Sequence, residues 1–406
     1  MSGENNAPSE ELTHDINIFE HNTKIDETDE KTIDRFTFIG KLRVRGFFSL
    51  YFVISVMVFL FSAIVYIISR ISPTFAEFWT RYPAYWLKML LAKTTTFFSF
   101  SFAEFLFFSL PVLIILYLIY SWRTINKATK PYDFYRCLLP LVCVVLIILS
   151  LFFTAFGPAY FRYPLEKNLS LVKKDVSAKE LYDTAVKLTQ EMEEVIDHIE
   201  FRYNGESICP HSYKELSAKT NEAFKAYTNK NDYISSFYSY PKPIVFSELF
   251  TYTHVSGVYT FITGEANINV NYPDFILPYT MAHEMSHQRG IAREDEANFV
   301  AFLVCMESND HYIRYSGYSN MLRYVLQSLS SADKALYIEY YENNYPIKLQ
   351  NEFNQFSVFF EKYRNSTVSS VTGKINDTFL NSQGQKEGIK SYGLVVDLLV
   401  TYYKKR

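Results

Sequence analysis

Three long apolar runs near the start of the chain constrain its fold more than any other feature. They extend over about 47–69, 97–120 and 137–156, and the first contains no charged residue. A helix needs about 20 mainly apolar residues to cross the hydrocarbon core of a bilayer. The sequence therefore predicts a membrane region over 47–160 with three transmembrane helices.

Two features of this region depart from a plain apolar span. The second run contains Glu104, and a carboxylate within a span is a candidate functional residue. Because Glu104 lies in the first third of the run, a position near the lipid headgroups is the simpler interpretation. The loop between the first two runs is rich in aromatic residues, which predicts an amphipathic segment at the membrane interface: Trp79, Tyr82, Tyr85 and Trp86.

Charged residues around the runs bear on orientation. Residues 1–46 are polar and acidic, which predicts a flexible cytoplasmic tail. Basic residues are frequent in all the segments that flank the runs, so the numbers of lysines and arginines on the two sides of the membrane are nearly equal. Their density is highest in the short loop between the second and third runs, which favours a cytoplasmic loop: Arg123, Lys127, Lys130 and Arg136. We therefore expect a multi-pass cell-membrane protein whose C-terminal half lies outside the cytoplasm.

Residues 161–406 predict a mainly helical domain with a small sheet, and hence an α+β fold. Ser177 and Glu180 form a capping box ahead of a run with helical apolar spacing. Segments 241–250 and 258–262 are short and rich in β-branched or aromatic residues, which predicts strands. Residues 266–271 alternate between apolar residues and asparagine, which predicts a half-buried strand. That strand is either a plain sheet edge or an edge that holds an extended peptide.

The stretch 278–290 contains the array His283-Glu284-Met285-Ser286-His287 between a proline and a glycine that are typical of helix ends. Residues four apart project from one face of a helix, so both histidines can bind one zinc ion. Glu284 would lie beside the metal, where it could take a proton from a zinc-activated water. The array predicts a zinc site.

Three acidic residues after the array compete for a third position on the metal: Glu294, Asp295 and Glu296. If a new helix begins near Ala292, Glu294 and Asn298 share one face, and Glu296 points about 160° away from Glu294. Asn298 could then orient a ligand histidine. We therefore rank Glu294 first as the third ligand and Glu296 second.

The stretch 283–298, preceded by 263–267 and Leu277-Pro278, resembles an uncharacterised bacterial family of membrane-anchored zincin-like proteins, domain of unknown function 3810. The late segment 388–393 is also similar to the end of that family. The resemblance leaves the acidic tail outside. It implies a zinc-dependent, peptidase-like domain that faces away from the cytoplasm, and it implies no particular substrate.

Two wider families bear on the third ligand. Metzincins have a third histidine where this chain has Arg293, so that pattern is broken. Gluzincins take a glutamate from a following helix, with an acidic residue four positions later. The pair Glu294 and Asn298 is similar to that arrangement, with asparagine in place of the usual aspartate.

These observations predict a membrane-anchored zinc peptidase with Glu284 as general base and His283, His287 and Glu294 as ligands. Its partners would be a peptide or protein substrate and the lipid bilayer. The net charge of -3 argues against a nucleic-acid partner. Tyr392 is one candidate for stabilising an oxyanion. The alternative is a zinc-binding sensor or scaffold that binds a peptide or cell-envelope partner without turnover.

Overall fold

A computed structural model describes residues 49–127, 132–172, 176–364, 367–383 and 392–405, so the predicted acidic tail lies outside the described residues. The chain divides into two compact units. The first comprises Met1–Leu60 and Ile115–Ile147, and the second comprises Phe61–Ile114 and Ile148–Arg406. In the first unit, the Tyr117 hydroxyl donates a hydrogen bond to the Cys137 carbonyl oxygen. The domain limits at 46 and 160 stay predictions.

The described chain is mainly helical. In chain order its helices are α1 (Leu50–Ile71), α2 (Pro73–Arg81), α3 (Pro83–Thr95), α4 (Phe102–Asn126), α5 (Tyr132–Leu151), α6 (Leu165–Asn168), α7 (Ala178–Ile196), α8 (Tyr213–Thr228), α9 (Ser247–Thr251), α10 (Leu277–Gln288), α11 (Glu294–Met306), α12 (His311–Ala332), α13 (Lys334–Asn343), α14 (Ile347–Glu361), α15 (Thr367–Ser382) and α16 (Tyr392–Lys405). Its strands are β1 (Lys242–Pro243), β2 (Gly257–Thr260) and β3 (Glu265–Ile268).

Three helical stretches are long and apolar enough to cross a membrane. They are α1, α4 and the stretch Phe134–Phe161, which contains most of α5, a π-helical turn (Phe152–Phe156) and a 3₁₀ turn (Gly157–Phe161). The three predicted spans are thereby confirmed as membrane-type helices. Their ends are shifted by several residues, as is usual for boundaries that depend on tertiary contacts.

The start of α4 is fixed by buried polar contacts. Ser101 caps the helix by accepting a hydrogen bond from the Glu104 backbone N–H at 2.9 Å. The Glu265 carboxylate of β3 accepts from the N–H groups of Phe102 and Ala103 at 3.1 and 2.8 Å. In return, the Glu104 carboxylate accepts from the backbone N–H groups of residues 245 and 246, both at 2.8 Å. Glu104 therefore joins the helix to the sheet region, where two N–H donors compensate its charge.

The predicted interfacial segment forms α2 and α3, and the polar and apolar side chains of these helices lie on unexpected faces. Polar side chains point inward, since Glu77, Thr80 and Lys88 are buried. Large apolar side chains point outward, with Phe78 52% and Trp86 63% exposed. This is the reverse of a helix on the surface of a water-soluble protein.

The sheet has the strand order β1-β3-β2, with β1 parallel and β2 antiparallel to β3. The strand predicted over 241–250 is correct only at β1, because residues after 244 turn into α9. Residues 266–271 do contain a strand, but the predicted role of that strand as a sheet edge is wrong. β3 is the central strand, so it is not a sheet edge, and β2 is the outer strand beside it.

The asparagines around β3 are also buried rather than solvent-facing. Asn267 accepts a hydrogen bond from the Ser101 hydroxyl at 2.7 Å and donates to the Val258 carbonyl oxygen at 3.1 Å. The side-chain amide of Asn269 donates to Thr251 at 3.0 Å. The alternation therefore reflects an apolar face and a buried hydrogen-bonded face.

The core of the second unit surrounds α10 and α11. The capping box at the start of α7 is confirmed, with Glu180 accepting from the Ser177 backbone N–H at 2.7 Å. The buried face of α7 packs on α12, and its central residues are fully enclosed: Ala185, Leu188 and Met192. The last third of the described chain is helical, from α11 to α16, in agreement with the mainly helical domain that the sequence predicts.

Candidate metal centre

The helix that carries both histidines, α10, is bounded as its sequence predicts. Pro278 lies in its first turn, where a missing N–H leaves no hydrogen bond unmade. After its last residue, Gly290 adopts a φ of +97°, and the Ile291 N–H donates back to the Ser286 carbonyl oxygen at 3.0 Å. This left-handed turn reverses the chain. It brings the start of α11 back to the histidines.

The close packing at Gly290 excludes a side chain there. A Cβ atom would lie 2.6 Å from the Lys88 amine and 2.7 Å from a side-chain carbon of Thr80. The Arg162 guanidinium donates to the Gly290 carbonyl oxygen at 2.9 Å and to the Glu77 carboxylate at 2.7 and 3.0 Å. The end of α10 is thus fixed between α2 and α3.

Three predicted ligands converge after this turn. The Nε2 atoms of His283 and His287 lie 3.0 Å apart. One oxygen of Glu294 is 3.3 Å from Nε2 of His283, and the other is 3.5 Å from Nε2 of His287. These three residues form a group in which all the donor atoms lie within 4.8 Å of one another.

The spacing of the donor atoms suits a small tetrahedral ion. Two ligands that each lie 2.0–2.1 Å from zinc at a tetrahedral angle are separated by roughly 3.3 Å. The two imidazole nitrogens are 3.0 Å apart, and each lies 3.3 or 3.5 Å from a different oxygen of the Glu294 carboxylate, so all three distances are close to this value. Two imidazoles and one carboxylate form the ligand set of many catalytic zinc sites, which leave a fourth position open. The donor set therefore fits zinc.

The electrostatics show how strongly the three groups interact. Burial alone would lower the pKa of His287, but the neighbouring Glu294 carboxylate raises it to about 9. Burial alone would raise the pKa of Glu294, yet the two imidazoles hold it well below its usual range. A divalent cation would replace the proton as the positive charge at this point.

The surroundings fix the ring of His287. Its Nδ1 lies 2.7 Å from the Ile291 carbonyl oxygen, which would set the tautomer that leaves Nε2 free for a metal. The ring of Phe156 packs edge-on against it, with centroids 6.1 Å apart. In the described part of the chain, Nδ1 of His283 is buried without a hydrogen-bond partner.

The orienting role predicted for Asn298 is not found. The Asn298 backbone carbonyl accepts from the Tyr279 hydroxyl at 2.8 Å, and its side-chain oxygen lies 3.5 Å from the Tyr324 hydroxyl. Glu294 and Asn298 do lie four apart on α11, but the side-chain oxygen of Asn298 is taken up by the hydroxyls of Tyr279 and Tyr324 instead of a ligand histidine.

Glu296, the second-ranked ligand candidate, has other partners. Its Oε1 accepts from the Leu165 backbone N–H at 2.9 Å and from the Arg293 guanidinium at 2.8 Å. It therefore anchors α6 to the start of α11, on a different side from the histidines. Glu294 is the only acidic residue among the described candidates whose oxygens reach both rings.

Glu284 lies against the outer strand of the sheet. A Cβ atom at residue 257 would be 2.7 Å from Cγ and 2.8 Å from Oε1 of Glu284, so only glycine fits there. The backbone N–H of Tyr259 donates to the Glu284 carboxylate. Burial raises the pKa of Glu284, and this outweighs the opposing effect of the two histidines. The Glu284 carboxyl group is therefore held beside His283, His287 and Glu294 with a pKa above the ordinary range of a glutamate.

Several residues around the site were not foreseen. Gly257, Tyr259 and Phe156 reach it only through tertiary packing, and Ile291 contributes through a backbone carbonyl that no sequence motif encodes. The side chain of Tyr392 lies outside the described residues, so its role as an oxyanion stabiliser stays a prediction. The Tyr259 hydroxyl is buried and has no hydrogen-bond partner in the described chain.

The comparisons with known proteins give a family without an assigned activity. A family model described as "Protein of unknown function (DUF3810)" matches residues 79–400. No curated protein and no solved structure matches the chain. The match begins within α2, so it leaves out α1 and most of α2, and it covers α3, the other two membrane-type stretches and the metal centre.

Proposed function

Because the chain belongs to the DUF3810 family, whose function is unknown, we propose its function from the metal centre: a membrane-anchored zinc peptidase related to the zincins. The observation that supports this best is the convergence of His283, His287 and Glu294 beside the carboxylate of Glu284, which lies against Gly257 of β2. A structural zinc site would need a fourth protein ligand, whereas hydrolysis needs an open position and a nearby base.

In this proposal, the two histidines and Glu294 would hold zinc, and the bound ion would supply a Lewis acid for the scissile carbonyl and for the attacking water. Glu284 takes the proton from that water and delivers it to the amine that leaves. Its raised pKa suits both halves of this transfer, since a carboxyl group closer to neutrality accepts and releases a proton more readily. The Tyr259 N–H and the absence of a side chain at Gly257 keep the carboxylate in place.

The outer edge of β2 supports a peptide as the substrate. Ser256 accepts from the Asn269 N–H at 2.8 Å, so this residue faces β3. Backbone groups alternate in direction along a strand, which places those of Gly257 and Tyr259 on the opposite edge, toward Glu284. An extended peptide could pair with that edge and bring its carbonyl group to the metal. The peptide-holding edge predicted for 266–271 thus moves to β2.

The second candidate is a zinc-binding sensor or scaffold without turnover. The burial of Glu284, which is only 4% exposed, favours it, because a general base must be reached by water. On either candidate, the partners are a peptide or protein and the lipid bilayer. The flanking charges also lead us to propose that the metal centre faces away from the cytoplasm.

The Glu284→Gln variant separates the two candidates. The full chain is purified in detergent with zinc, and hydrolysis of a mixture of quenched fluorescent peptides is measured with bound zinc. We expect the variant to keep its zinc and its turnover to fall by roughly two to four powers of ten. Wild-type protein that holds zinc and cleaves none of the peptides would favour the sensor. Full turnover by the variant would exclude Glu284 as the base.

A further inference from the structure

The metal centre is built directly on the ends of the apolar helices. Phe156, which packs on the ring of His287, belongs to the third membrane-type stretch, Phe134–Phe161. The ring of Tyr66 from α1 stacks on Phe153 one turn earlier, with centroids 4.5 Å apart. Within the second unit, therefore, a predicted ligand is one side chain away from a helix that is apolar enough to lie in lipid.

The sheet that carries the outer strand is attached to the second apolar helix. Glu265 of β3 caps the N-terminus of α4, and Ser101 donates to Asn267 at 2.7 Å. In addition, the amine of Lys242 in β1 donates to the Thr95 carbonyl oxygen at 2.8 Å. The peptide-binding edge proposed for β2 is therefore part of the same sheet that closes over the start of α4.

The interfacial helices complete this arrangement. Their inward faces hold the end of the metal helix, through Thr80 and Lys88 at Gly290. Their outward faces expose large apolar side chains: Phe78, Tyr82, Trp86 and Leu90, each 52–63% exposed. Both helices lie in sequence between two membrane-type helices, and tryptophan and tyrosine are typical of the headgroup region. A lipid surface is the partner that matches this composition and this position.

From these contacts we infer that the substrate is a membrane-tethered polypeptide, cleaved within a few residues of the bilayer surface. This inference rests on the proposed peptidase function and names its substrate class. The third apolar stretch has 28 residues, more than the about 20 that a helix needs to cross the hydrocarbon core. Phe156, which meets His287, lies close to the C-terminal end of this stretch, where we place the bilayer surface. An extended chain advances about 3.3 Å per residue, so about two residues cross the roughly 5–8 Å of headgroup region on one side of the core.

The test uses the full chain reconstituted in vesicles of phosphatidylethanolamine and phosphatidylglycerol. The probes are quenched fluorescent peptides of randomised sequence, each attached to a palmitoyl anchor through a spacer. One series has short spacers of about four residues, and the other has polyproline spacers of about twelve residues, which extend about 37 Å. The same peptides without an anchor are measured in detergent. Because both anchored series have the same surface density, only the height of the scissile segment differs.

We expect the short-spacer peptides to be cleaved at least about tenfold faster than the long-spacer peptides, since the latter hold the scissile bond above the site. Equal rates for the two series, with clear cleavage of the free peptides, would overturn the inference and leave the peptidase intact. No cleavage of any peptide by the zinc-loaded chain would refute the proposed function.

Cross-linking of the bound peptide distinguishes a failure of the proposed catalysis from a failure of the membrane-proximal site. In the Glu284→Gln variant, anchored peptides that carry a benzophenone should cross-link to β2 or α10 when the spacer is short. They should not do so when it is long. Spacer-dependent cross-linking without hydrolysis by the wild type would refute catalysis and retain the membrane-proximal peptide site. Cross-linking at both spacer lengths would refute that site.

Discussion

Replacing Glu294 by glutamine tests the metal centre most directly, because glutamine keeps the side-chain shape and removes the charge. In the structure, the two oxygens of Glu294 lie 3.3 and 3.5 Å from the two imidazoles, and no other acidic side chain in the described chain completes this group. Loss of a residue that only supports a ligand costs about 10–100-fold in metal affinity. Loss of a charged ligand should therefore cost more than about 100-fold, or at least roughly 2.7 kcal/mol.

Glu296→Gln is the matched control, since it makes the same chemical change two residues away. Glu296 has hydrogen bonds of 2.9 and 2.8 Å to Leu165 and Arg293, and it does not contact the histidines. This variant should lose about 1–3 kcal/mol of stability. Its zinc affinity should stay within about tenfold of wild type.

The assay is competition for zinc between the full chain in detergent and a fluorescent chelator, followed by thermal unfolding of the metal-free proteins. Glu294→Gln should change the zinc affinity strongly, and Glu296→Gln should change the stability instead. The assignment of Glu294 would be refuted if Glu296→Gln lost zinc as severely, or if Glu294→Gln bound zinc as tightly as wild type.

Two further predictions concern a buried lysine and the orientation of the chain. Burial, together with the charges of Arg162 and Arg289, lowers the pKa of Lys88 from 10.5 to about 7. Between these two pH values the folded state binds fewer protons than the unfolded state. The free energy of unfolding of the wild type should therefore rise with pH across that window. Lys88→Met should remove this pH dependence and raise the free energy of unfolding at pH 7 by on the order of 4 kcal/mol, measured by guanidinium unfolding. Lys93→Met, at an exposed position of the same helix, should keep the pH dependence. For orientation, a reporter that folds only outside the cytoplasm should be active when fused after Arg406, and activity of a cytoplasm-only reporter at the same position would place the metal centre inside the cell.

The sequence predicts the metal centre well where local helix geometry decides the outcome. His283 and His287 share a face because they are four residues apart on one helix, and the Gly290 turn requires that the chain reverse. Glu294 was ranked first from an assumed helix start near residue 292. The helix begins two residues later, yet the acidic group still reaches the rings, because the turn and not the helix phase sets its position.

The predictions fail where distant segments supply the hydrogen-bond partners. The alternation over 266–271 suggests a solvent-facing row of asparagines, but Asn267 is bonded to Ser101, a residue 166 positions earlier. The strand predicted over 241–250 ends early because Glu104 accepts the N–H groups of residues 245 and 246, which would otherwise continue a ladder. Neither partner can be read from a local pattern.

The reciprocal contacts of Glu104 and Glu265 also impose an order on the biogenesis of the protein. Each carboxylate finds its partners 141 to 163 residues away along the chain. Synthesis proceeds from the N-terminus, so α4 is made and inserted while the N–H groups of residues 102 and 103 still lack Glu265. Such distant pairings form late in folding, since a long loop must close first. The sheet can therefore dock on the start of α4 only after residue 265 has been made, and a chain that lacked residues 101–104 would lose the contacts that hold the sheet to that helix.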